Sequence, residues 1–121
     1  MSRAILHVCT AFSTLACGAG GAPAGDDSAA TFCSDAPVVT WETFGHGFVT
    51  EHCQACHAST TLERNGAPRD VSFDTHDEVL ALTDRILARS VGPAASMPPQ
   101  GGVTPDDRQK LEIWLRCWED A

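Results

Sequence analysis

The stretch Cys53-Gln54-Ala55-Cys56-His57 joins residue types and spacing that can do specific chemistry. Two thiols three residues apart can reach the two vinyl groups on one edge of a porphyrin. The adjacent histidine then offers its imidazole to the iron from one face. C-x-x-C-H is the pattern of c-type haem attachment. A haem held this way takes a sixth ligand. Met97, in Ser96-Met97-Pro98-Pro99, is the only methionine besides Met1. A thioether on the iron raises its reduction potential and leaves no open position for oxygen or peroxide. The plainer role for Met97 is a buried loop anchor. His46, His52 and His76 are rival ligands. The first two precede the attachment site on its helix, on the wrong side, and His76 opens the next helix and is the best rival.

Other chemistries use the same residue types. A C-x-x-C dithiol site belongs in a βαβ context, and the chain has no β pattern to supply one. Zinc on His52, Cys53, Cys56 and His57 lacks the second C-x-x-C or H-x-x-H pair of finger spacing.

Helices must position these residues. Trp41 to Cys53 has helical spacing, with Phe44 and Phe48 four apart and Gly45 marking a close approach by another element. His57 to Val71 is polar and interrupted by Gly66 and Pro68, which predicts a loop. Asp74 to Ser90 predicts a second helix, with Val79, Leu82 and Ile86 on one stripe. Ala94 to Val103, with its Pro and Gly pairs, predicts a long loop around Met97. The last helix has the clearest start: Thr104 as N-cap, Pro105 at the first helical position, Asp106 and Asp107 at the positive end of the dipole. Leu111, Trp114, Leu115 and Trp118 follow as its apolar stripe. The pattern predicts an all-α domain with long loops and no internal repeat.

Composition narrows the class. The chain has 121 residues, enough for one small domain, and 43% are hydrophobic. There are 16 Asp+Glu against 8 Lys+Arg, a net charge of −8, with no basic stripe for nucleic acid. Acidity suits docking on a basic partner face, or simple solubility. Six cysteines in this length indicate a redox or metal role or an oxidising compartment. The short basic start and the apolar Ile5 to Leu15 predict an export signal over residues 1–16. Thr14-Leu15-Ala16-Cys17 resembles a bacterial lipobox, which implies acylation at Cys17. Ordinary signal cleavage nearby is the alternative. Residues 17–31, rich in Gly, Ala, Pro, Asp and Ser, are expected to form a flexible tether, leaving residues 32–121 as the domain.

With CQACH, the Pro68 loop and MPP in this order, residues 32–119 resemble class I monohaem cytochromes c of the small bacterial lipoprotein type. The resemblance implies a cytochrome c-like bundle of about three main helices, with long loops wrapped around one haem c. It implies thioethers at Cys53 and Cys56, His57 and Met97 as axial ligands, and a Pro68 carbonyl accepting from His57 Nδ1–H. It further implies that the first and last helices cross where Gly45 meets Trp114. Cys33 and Cys117 depart from the basic family pattern, which does not require them, but those ends converge in the family fold, and a Cys33–Cys117 disulfide is expected. Arg64, Arg69, Arg85 and Arg89 are candidates for the haem propionates, or are solvated charges.

The expected function is one-electron transfer, without enzymatic catalysis, by a periplasmic, membrane-anchored monomer with redox-protein partners and no nucleic-acid partner. A gas sensor or peroxidase-like haem protein with an open or displaceable sixth site is the alternative. A non-haem lipoprotein with structural cysteines is a third.

Overall fold

The computed structural model describes residues 27–118. The expected export signal, Cys17 and most of the tether lie outside them. Among the described residues the fold is all-α, with no strand. The helices are α1 (Asp27–Ser34), α2 (His46–His52, led in by a π-helical turn, Trp41–Gly45), α3 (Gln54–His57), α4 (His76–Leu80), α5 (Thr83–Ser90) and α6 (Pro105–Cys117). The helical segments are shorter and more numerous than the three expected, because two of those helices are interrupted.

The first interruption is the π turn. The Thr40 and Thr43 side chains cap each other's backbone N–H groups, and both Phe44 and Gly45 donate to the Thr40 carbonyl. The wider turn places Gly45 directly against Trp114. A Cβ on Gly45 would lie 2.7 Å from the indole ring, closer than non-bonded carbons approach. The expected crossing of Gly45 with Trp114 is therefore present.

The second interruption divides the expected Asp74–Ser90 helix. Thr75 and Glu78 form a capping box that starts α4. The helix stops at Leu80, and Leu82 takes a non-helical conformation. The reason lies in burial. Val79 is fully buried in the core, whereas Ile86 borders a cleft. Ile86 also packs against that core, only partly buried, and packing overrides local propensity here.

Helix α6 forms as its sequence dictates. Thr104 Oγ1 accepts from Asp107 N, with Pro105 at the first position. Leu111, Trp114 and Leu115 are buried, and Ile113, outside the predicted stripe, is buried with them. Together with Val39, Phe48, Val49, Val71, Phe73 and Val79 they make the core. Helix α1 was not expected, since Asp27–Thr31 fell in the segment assigned to the tether. Eight residues are too few for a stable isolated helix. Cys33 secures α1 to the end of α6 through a disulfide with Cys117, with Cα atoms 5.5 Å apart.

Two measurements check this framework. Gly45→Ala forces a methyl into Trp114 and should lower stability by about 1–3 kcal/mol, read as a fall in the urea midpoint. Replacing Cys33 and Cys117 together by Ala should lower stability by up to about 4–5 kcal/mol in chain-entropy terms. Non-reducing peptide mapping should recover the two cysteines linked, and two free thiols would refute the pairing.

Candidate functional site

The five residues of CQACH sit at a break between helices. Helix α2 ends at His52, Cys53 takes a φ of −119°, and α3 is a single helical turn, Gln54–His57. His57 N donates to Cys53 O at 2.9 Å, closing the turn. Cys53 and Cys56 therefore lie three residues apart on one side of one turn. Both are free thiols, half-buried. Burial pushes the Cys53 thiol up to about 12. A dry thiol held neutral is the opposite of the activated thiolate that a dithiol redox site requires.

A long loop returns from α3 and is tied back to it. Phe73 N donates to His57 O at 2.8 Å and Gln54 Nε2 to Phe73 O at 2.8 Å. Ser59 N donates to the Asp74 carboxylate. At the tip, Asn65 and Gly66 have φ of +50° and +84°, and Ala67 N donates to Arg64 O. Positive φ at both central positions is the conformation that Asn-Gly favours. This turn folds Arg64 back into its own loop, where it is 8% exposed. Its guanidinium donates to the carbonyls of Ala58 (2.6 Å), Ala67 (3.4 Å), Pro68 (2.8 Å) and Val71 (2.7 Å).

His57 is oriented by the same loop. Its Nδ1 lies 3.0 Å from Val71 O. A carbonyl only accepts, so Nδ1 carries a proton, and in the neutral ring Nε2 is the nitrogen with the free lone pair. The expected partner, Pro68, is not used. Its carbonyl already accepts from Arg64 Nη2 and from Val71 N, which fills both lone pairs. Pro68 is instead part of the cleft wall.

That cleft has a volume of about 320 Å³, within the range of small-molecule sites. His57, Cys56 and Met97 line it together, with Val71, Phe73 and Ile86 as apolar wall and Arg85 and Arg89 contributing cationic side chains. An adjoining cavity of about 30 Å³ shares Cys56, His57 and Met97 and adds Cys53, Phe48 and His52. Met97 arrives on the loop after α5. Ser96 N and Met97 N both donate to Arg89 O, at 2.8 and 2.9 Å.

The structure thus brings Cys53, Cys56, His57 and Met97 together, although Met97 lies forty residues beyond His57. The rival ligands fall elsewhere, apart from His52 in the smaller cavity. His76 stacks on Trp41 with centroids 4.9 Å apart and lies beside Trp114, and His46 meets the edge of Trp41. Of the four arginines suggested for carboxylates, Arg64 is committed to backbone carbonyls, Arg85 and Arg89 border the cleft, and Arg69 does not. Arg108, on α6, was not singled out by sequence. It binds the carbonyls of Ser90 and Met97. Its one signal was a cation near the positive end of a helix, where it gains nothing from the dipole.

Among the described residues, no three His, Cys, Asp or Glu side chains gather as a metal-ion site, and no helix is long and apolar enough to cross a membrane. No protein-family model, curated protein or solved structure matches the chain.

The role of Arg64 is directly testable. Arg64→Ala strips up to four carbonyls of a charged donor and should destabilise the protein by about 3 kcal/mol or more in urea unfolding. Arg64→Lys should recover little of this, because an ammonium lacks the planar fork that spans these carbonyls.

Proposed function

We propose that the protein is a small exported cytochrome of class I type, carrying one covalent haem c between His57 and Met97 and transferring single electrons between redox proteins. One observation carries the reading: Met97, on a distant loop, lines the same cleft as Cys56 and His57.

The residues present fit the group. Cys53 and Cys56 offer two sulfurs from one turn. His57 offers Nε2, with Nδ1–H held by Val71 O, the arrangement that fixes ring orientation and raises ligand basicity. Met97 offers a thioether. A haem held there would supply one-electron Fe(III)/Fe(II) chemistry. The chain's own part is to hold and shield. Val71, Phe73 and Ile86 exclude water from the cleft, and Arg85 and Arg89 present positive charge to carboxylates at its edge. No side chain has to accept or deliver a proton.

The acidic surface suits a basic partner face. The Cys33–Cys117 pair suits an oxidising compartment, consistent with export and a lipid anchor at Cys17. A second reading has its own support: Met97 is 38% exposed, which suits a sixth ligand displaced by a gas or peroxide.

The protein exported alongside haem-attachment machinery should give one haem per chain in a pyridine haemochrome assay. Absence of haem would refute both readings. Met97→Ala should lose the low-spin thioether spectrum and bind carbon monoxide readily when reduced. Wild-type protein that binds carbon monoxide equally readily would favour the sensor.

A further inference from the structure

The Met97 loop is long, rich in proline and glycine, and mostly exposed. A loop of this kind does not hold a side chain in one place by its own packing. Its backbone is nevertheless held at Met97 from both sides. The Met97 N–H donates to Arg89 O, at the end of α5. The Met97 carbonyl accepts from Arg108 Nη1 at 3.0 Å. The same Arg108 nitrogen donates to the carbonyl of Ser90, the last residue of α5.

Arg108 stands on the second turn of α6, the helix whose Leu111, Trp114 and Leu115 are the most deeply buried part of the core. Among the described residues it has no carboxylate partner, although the chain carries a large excess of acid. A half-buried guanidinium spent on two carbonyls, without a counter-ion, is committed to those carbonyls.

We propose that Arg108 is the positioning residue for the sixth ligand: it fixes the Met97 backbone to α5 and α6 and so sets how firmly Met97 holds the iron. This rests on the reading of Met97 as that ligand. The side chain does not touch the haem site in this role. It acts through the Met97 carbonyl, by lowering the population of conformers in which the loop swings away. The ligand-off state then depends on one charged hydrogen-bond system behind two residues, Ser90 and Met97, that line the cleft.

The test uses the haem-loaded protein and carbon monoxide as probe, which competes with Met97 for ferrous iron. Carbon monoxide affinity should rise about ten- to hundredfold in Arg108→Ala, the weight of a charged hydrogen bond transferred to the ligand-off equilibrium. The thioether absorption of the oxidised protein should weaken, and the reduction potential should fall. Arg108→Lys, with a single point donor, should lie between wild type and Arg108→Ala, and it serves if the alanine variant fails to fold. Lys110→Ala, one exposed cation removed from the same helix, should match wild type. Arg108 variants with wild-type carbon monoxide affinity and thioether absorption but a lower urea midpoint would overturn the inference and leave Met97 as ligand. Wild-type protein indistinguishable from Met97→Ala would overturn the ligand assignment and this inference together.

Discussion

The carbonyl oxygen of Val71 accepts from two donors, the Nδ1–H of His57 and the guanidinium of Arg64. The candidate site is built outward from that shared atom. One donor fixes the tautomer and tilt of the imidazole. The other fixes the loop that carries the carbonyl. Arg64 is permanently charged, so the loop is held by a donor that does not switch off with pH. Because the same guanidinium also binds Ala58, just past His57, the two ends of the loop close on one side chain. The motif supplies the imidazole, and an arginine seven residues later fixes the loop that gives it direction.

The larger frame rests on a contact of the opposite kind, an absence of side chain. Gly45 lets the Trp114 ring lie on the backbone of the π turn, and the buried face of α6 carries the core from there. The disulfide fastens α1 to the far end of that helix. Helix α6 therefore serves both as core and as anchor. Its middle holds the π turn that leads into α2, its end holds α1, and its first turns reach the Met97 loop through Arg108.

The core is modest for a domain of this size, and several apolar residues are only partly buried beside it. Leu82, just before α5, and Ile86 and Leu87 on it are examples, and Ile86 borders the cleft. A small domain with a lean core gains from a large apolar group bound between its elements. The proposed haem would cover that surface. It would also give a purpose to a break between α4 and α5 that costs helical hydrogen bonds.

Much of this was legible in the sequence because it depends on local order. C-x-x-C-H names its chemistry by spacing alone. Thr104, Pro105 and the aspartates mark the start of α6, whose stripe repeats at helical period. A single methionine in a proline loop could be singled out by elimination of alternatives in composition. The likeness to a known family pointed to Gly45 with Trp114 and to Cys33 with Cys117, and the fold contains both pairs. What tertiary structure alone decided concerns which group meets which carbonyl. Pro68 and Val71 lie three residues apart, and Arg64 donates to both carbonyls. Val71 N fills the remaining place on the first, and the imidazole takes the remaining place on the second. Helix α4 stops at Leu80, with Val79 fully buried and Ile86 partly buried against the same core, a difference that no periodicity records. Arg64 and Arg108 looked like surface charge, since hydrogen bonds to backbone carbonyls leave no trace in residue type. The sequence by itself determined the candidate side chains and the start and stripe of α6. Only the folded chain decided their orientation, because that depends on lone pairs and donors brought together from segments far apart in sequence.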